Sequence, residues 1–152
     1  MAPAVRPKIE VVLMRTAFEF SRRSTCNRLS VGSVIARQGR IISTGYNGSP
    51  AEMPHCQHPI GDYEQAETTP CTAVVHAEAN AICFAARHGV GVEGAQIYCT
   101  HAPCIRCATM IVNCGIEAVY FCREFRDMSG IDLLRAAGLL VTQTYSSDKV
   151  NW

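Results

Sequence analysis

Two short segments, His76-Ala77-Glu78 and Pro103-Cys104-Ile105-Arg106-Cys107, each stand at the head of a stretch with helical spacing. Two cysteines three apart on a first helical turn can aim both thiolates at one ion. A histidine at the start of a neighbouring helix supplies a third ligand. That convergence requires two helices side by side with their N-termini together, which constrains the fold more than any other feature of the chain. Three protein ligands leave a fourth tetrahedral position open, the mark of a catalytic rather than a closed structural zinc site. The positive ends of both helix dipoles favour thiolate over thiol at Cys104 and Cys107.

The surrounding periodicity supplies the frame. Residues 8–23 carry Ile9, Val12, Leu13, Ala17 and Phe18 at helical spacing. Two β-rich runs, 31–36 and 41–46, flank a polar Arg-Gln-Gly-Arg turn and read as a hairpin. Residues 47–70, rich in Gly, Pro, His and acidic side chains, read as one long irregular loop, a length that is usually functional or tied down. A helix over 74–88 ends at His88-Gly89, and a strand follows over 96–100. A helix over 103–114 is closed by Gly115, with a strand over 118–122. A last helix over 131–137 stops at Gly138, before a strand over 140–144. Strands alternating with helices in the second half predict parallel pairing, against an antiparallel opening hairpin. The expected fold is α/β, a three-layer α/β/α sandwich around a mixed five-stranded sheet, in a single domain spanning 1–152.

A net charge of +1 gives no basic face for long nucleic acid. No apolar run approaches the roughly 20 residues that span a bilayer. The opening MAPAVRPKIE has no apolar core of a signal peptide, so the expected location is the cytoplasm. In that reducing setting nine cysteines point to metal binding rather than a disulfide frame. Cys83, Cys99, Cys114 and Cys122 lie in apolar surroundings and read as small core residues. Cys26, Cys56, Cys71, Cys104 and Cys107 remain for chemistry.

Zinc lowers the pKa of bound water toward neutrality. Glu78, two residues beyond the histidine ligand, is placed to act as general base and then general acid. The pattern H-x-E…P-C-x-x-C is the known signature of zinc nucleobase deaminases. An ordinary zinc ribbon, the competing reading of Cys104 and Cys107, does not explain His76-Ala77-Glu78.

With these residues in place the chain resembles the deoxycytidylate (dCMP) deaminases. The segments that carry the resemblance are SRRSTCNRLSVGSVI, GRIISTGYNGSPA, HAEANAICFAARHGVGVEGAQIY and THAPCIRCATMIVNCGIEAVY, covering about residues 21–122. The resemblance implies the cytidine-deaminase fold and conversion of dCMP to dUMP and ammonia, supplying dUMP for thymidylate synthesis. It also implies a hexamer or other homo-oligomer and, as in several members, activation by dCTP together with Mg2+ and inhibition by dTTP. It places Asn47 on the deoxyribose and Ala77 and Phe121 at the substrate. Gly45, Tyr46, Asn47 and Gly48 would form the effector loop, with Arg87 at a position tied to effector response. Arg28 is the choice for the 5′-phosphate, since guanidinium forks suit phosphate oxygens. A solvated surface arginine is the competing reading for Arg28 and Arg87.

Cys26, Cys56 and Cys71 match cysteines of those members that carry an additional structural zinc. A tetrahedral site needs a fourth ligand, and His58 and His55 both flank Cys56. His58 is preferred, because the one-residue gap makes joint coordination easier.

The chain departs from many relatives at Phe121, where they place tyrosine, and at Arg123, where they place an acid. These changes leave open a modified dCMP or a nucleotide with more phosphates, or else both positions merely repack. The runner-up reading is deamination of another small substrate, a 5-modified dCMP, cytidine or guanine. A catalytically silent nucleotide-binding subunit is the remaining alternative.

Overall fold

The computed structural model describes residues 6–58 and 71–144. Its elements in chain order are α1 (Ile9–Ser21), β1 (Gly32–Arg37), β2 (Arg40–Tyr46), α2 (Ala77–Arg87), β3 (Gln96–His101), α3 (Ile105–Asn113), β4 (Ala118–Arg123), α4 (Ser129–Ala136) and β5 (Leu140–Gln143). The five strands form one sheet in the order β2-β1-β3-β4-β5. The β1 strand is antiparallel to both β2 and β3, whereas β3, β4 and β5 run parallel. The mixed sheet expected from the sequence is therefore present.

Period-two alternation divides the core between the two faces of the sheet. Val34, Ala36, Tyr98 and Cys122 meet Leu13, Met14 and Ala17 of α1. The alternate residues Ile35, Ile97, Cys99, Val119 and Phe121 meet Ala81 and Ala85 of α2, Ala108 and Ile111 of α3, and Ile131 and Leu134 of α4. Both faces are covered, which gives the three layers. Gln38 and Gly39 have φ of 51° and 72°, the left-handed pair that a two-residue hairpin turn of this twist needs. Gly45 permits a closer packing: a Cβ there would run into the carbonyl oxygen of Ala77 and the amide of Ala81, so β2 and α2 touch backbone to backbone.

Several boundaries move for physical reasons. α2 and α3 begin after His76 and Cys104, which occupy the N-cap positions with extended backbone. α4 begins before Ile131, at Ser129, whose N–H donates to Asp127 Oδ1 at 2.9 Å in a turn that apolar spacing does not reveal. Gly48, in the segment read as one irregular loop, exchanges backbone hydrogen bonds of 2.8 and 3.1 Å with Val75, a residue expected in the helix that in fact begins at Ala77. Residues 59–70 of that loop, and Tyr145 onward, lie outside the described residues. Cys99 and Cys122 are buried and Cys114 packs against the core, but Cys83 is exposed. The inward face of α2 is set by Ala77, Glu78, Ala81 and Ala85, and residue 83 points away from it.

Candidate metal centre and active-site pocket

The parallel strand β3 delivers Cys104 to the start of α3, beside the start of α2, and so assembles the first cluster. His76 Nδ1 lies 3.4 Å from Cys104 Sγ and 3.6 Å from Cys107 Sγ. A tetrahedral zinc with its usual Zn–S and Zn–N lengths sets N···S edges of about 3.5 Å, so this donor triangle fits the ion. When bound, zinc acts as a Lewis acid and activates water near neutral pH.

The thiols are coupled. The hydrogen bond from Cys107 and the nearby His76 hold Cys104 down at about 3, against the opposing effect of burial. Cys107 is pushed upward by sharing that hydrogen with Cys104 and by burial. Without metal the pair retains a proton that coordination would displace. The Cys104 contact raises His76 above its ordinary value. Glu78 is buried, and desolvation raises its carboxyl above the usual range, against its own backbone hydrogen bond and the neighbouring His76. A carboxyl tuned upward exchanges protons more readily near neutral pH.

His76, Glu78 and Cys104 open onto a cavity of about 470 Å³. Arg28, Asn47 and Ala77 line the same cavity, and Arg28 is half-buried. Asn47 is committed to its own chain: its Oδ1 accepts from Val31 N–H at 2.8 Å and its Nδ2 donates to Leu29 O at 2.7 Å. Ala77 is fully buried, and its carbonyl accepts the Ser33 hydroxyl at 2.8 Å.

The structure corrects the placement of Phe121. It is 1% exposed in the core between sheet and helices and does not line the cavity. Its parity on β4 turns it toward the packed helices, and the aromatic wall comes from Phe125 instead. Arg123 does not line the cavity either; its guanidinium stacks over the Phe18 ring at 5.3 Å, on the α1 side. Glu124, Arg126 and His101 line the cavity with Phe125. None of these four was singled out from the sequence. The visible signal was a polar Thr100-His101 step ending an apolar strand, and a charged, aromatic segment following β4. Of the other residues assigned by resemblance, Tyr46 is half-buried with its carbonyl accepting Asn80 Nδ2 at 2.8 Å, and Arg87 is exposed at the end of α2. Neither Tyr46 nor Arg87 lines the cavity.

A second cluster forms where the described parts of the long loop meet the turn after α1. One donor atom each from Cys26, Cys56, His58 and Cys71 lies within 4.8 Å of the others. His58, rather than His55, completes the group. His58 Nε2 is buried without a hydrogen-bond partner among the described residues, as suits a metal-ligand atom. Four soft donors suit a closed zinc site. Burial and the neighbouring Cys26 and Cys71 push the Cys56 thiol up to about 12. Asn27 braces the cluster by donating to His58 O at 2.9 Å and accepting from His58 N–H at 3.2 Å. Cys26 and Cys71 also line the cavity, so the two clusters share a wall.

An α/β/α frame carrying a Cys2His donor triangle beside a buried glutamate defines a zinc-binding class of α/β protein. Residues 7–123 match the family described as the cytidine and deoxycytidylate deaminase zinc-binding region, and the chain belongs to that family. It is 41% identical over 126 residues to ComE operon protein 2 of Bacillus subtilis (strain 168), covering 80% of this chain and 63% of that protein. It is 37% identical over 150 residues to the deoxycytidylate deaminase of Saccharomyces cerevisiae, covering 94% of this chain and 47% of that one. The chain thus spans about half to two-thirds of the length of these two relatives. The dCMP deaminase of cyanophage S-TIM5, solved in complex with dCMP and dUMP, superposes with a TM-score of 0.81 at 33% identity, over 92% of this chain and 99% of that one. Among the described residues no helix is long and apolar enough to cross a membrane.

Proposed function

We propose that this chain deaminates dCMP to dUMP and ammonia. The observation that carries the reading is the buried Glu78 carboxyl, open to the same cavity as the His76–Cys104–Cys107 triangle. A cavity of about 470 Å³ suits a nucleotide, and Arg28 and Arg126 provide cations for its phosphate. The likeness to a structure holding dCMP and dUMP favours the monophosphate. In the reaction a water oxygen bonds to C4 of the pyrimidine. Glu78 takes one water proton and passes it to N3, then moves the second to the amino group. The C4–N bond breaks, and ammonia leaves behind a C4 carbonyl.

The test is ammonia release from a panel of cytosine-bearing bases, nucleosides, monophosphates and triphosphates, with 5-substituted dCMP and guanine included. The reading expects the highest kcat/KM on dCMP. Turnover of cytidine without dCMP would overturn it.

The second cluster supports a structural zinc held by Cys26, Cys56, His58 and Cys71, which would fix the loop against the cavity wall. Phe84, Ile105 and Met110, exposed on α2 and α3, support assembly into a homo-oligomer, to be measured by light scattering against the hexamer expected from the resemblance. Feedback by dCTP with Mg2+ and by dTTP, through Gly45–Gly48 and Arg87, rests on the resemblance, and calorimetric titration with each triphosphate tests it. We read 1–152 as one deaminase domain acting in the cytoplasm.

A further inference from the structure

The end of β3 carries a polar pair that the scheme above does not use. Thr100 is fully buried and His101 is 8% exposed. The backbone N–H of Gly32 donates to Thr100 Oγ1 at 3.1 Å, and the same oxygen lies 3.0 Å from His101 Nδ1. A threonine hydroxyl has one hydrogen to give. Among the described residues Nδ1 is the acceptor within reach of it, so the buried hydroxyl is satisfied only if it donates to Nδ1. The imidazole hydrogen therefore resides on Nε2. That atom has no hydrogen-bond partner among the described residues, and His101 lines the cavity.

We propose that His101 is a substrate-contacting specificity residue, presenting a fixed, neutral Nε2–H donor to an uncharged acceptor oxygen on the base or sugar of the nucleotide. Gly32 and Thr100 are its positioning residues. The inference rests on the nucleotide-deaminase reading. Only Ala102 and Pro103 separate His101 from Cys104, and His101 and Cys104 both line the cavity. Arg28 and Arg126 also line the cavity. Burial and the nearby Arg123 hold the imidazole neutral, down at about 4. A polar site that binds an oxygen in this way discriminates strongly against analogues lacking it.

The test uses the zinc-loaded full chain, with His101→Phe, His101→Gln and Thr100→Val. For wild type, 15N-histidine NMR should show His101 protonated on Nε2. In Thr100→Val the signal should shift toward a mixture of tautomers. His101→Phe should raise KM for dCMP, and the dissociation constant of dUMP by calorimetry, at least tenfold at unchanged zinc content. His101→Gln, whose amide N–H reaches a similar point, should recover most of that loss. The same penalty should appear with deoxycytidine; its absence there would assign the contact to phosphate and overturn the base-or-sugar assignment. Wild-type KM and dUMP affinity in His101→Phe, or a wild-type Nδ1–H tautomer, would also overturn the inference. A wild-type chain that binds dUMP but does not turn over dCMP would instead sink the deaminase reading, with the tautomer and dUMP arms still judging His101. If His101→Phe fails to fold, the Thr100→Val spectrum and its dUMP affinity decide.

Discussion

Asn47 and Val31 hold each other twice: the Asn47 backbone N–H donates to Val31 O at 3.1 Å, and the Val31 N–H donates to Asn47 Oδ1 at 2.8 Å. With Nδ2 bound to Leu29 O, the side chain fastens the segment that follows Arg28 to the end of β2. Asn47→Ala leaves Val31 N–H and Leu29 O without these partners and should cost about 2 kcal/mol of stability. KM should rise as the Arg28 segment loosens. Thermal denaturation and steady-state kinetics on the same variant check both.

Glu78→Gln keeps the shape of the buried side chain and removes its proton transfer. Turnover should fall by about 10²–10⁴-fold, a typical general acid–base contribution. Metal analysis should show the zinc content unchanged, and full activity in this variant would refute the proton-transfer role.

Gly45→Ala pushes a methyl group into the backbone of α2. Overpacking of this kind costs about 1–3 kcal/mol. Because α2 is capped by His76 and carries Glu78, kcat should fall together with the denaturation midpoint. A variant of wild-type stability and activity would show that β2 and α2 are not in rigid contact.

His101 gives a pH signature with a definite sign. Its folded value of about 4 lies below the ordinary 6.5, so between those values the unfolded chain binds the extra proton. Stability should drop as pH falls through this window. Relative to His101→Gln, wild type should lose about 2 kcal/mol between pH 7 and pH 5, read from denaturant curves. Parallel curves for the two proteins would contradict a buried, neutral imidazole.

Zinc stoichiometry tests the second cluster. Cys56→Ser should reduce bound zinc from two ions per chain to one and expose the loop to protease, with His58→Ala behaving alike and His55→Ala resembling wild type. One ion in the unmutated protein would remove the structural site.

The catalytic triangle was legible because its spacing and its chemistry coincide in two short stretches. Sheet composition and strand direction followed from alternating periods. What periodicity could not show was parity at the ends of elements. Phe121 looks like a rim residue until β4 turns it into the core, with Phe125 in the wall instead. Cys83 sits among apolar neighbours in sequence yet faces outward, because a helix separates residues 81 and 83 by about 200°. His101 was hidden for a different reason: its role depends on a hydroxyl next to it and an amide from a strand distant in sequence.

The antiparallel β1–β2 hairpin and the parallel β3–β4 pair send their cavity residues to one end of the sheet, leaving the Gln38-Gly39 turn, Gly89–Gly94, Gly115 and Gly138 at the other. The molecule thus has a working rim and an idle rim. Reporter peptides, affinity tags or surface-tethering linkers grafted at the Gln38-Gly39 turn would stand a whole strand length from the chemistry. Libraries aimed at new substrates need vary only the opposite edge.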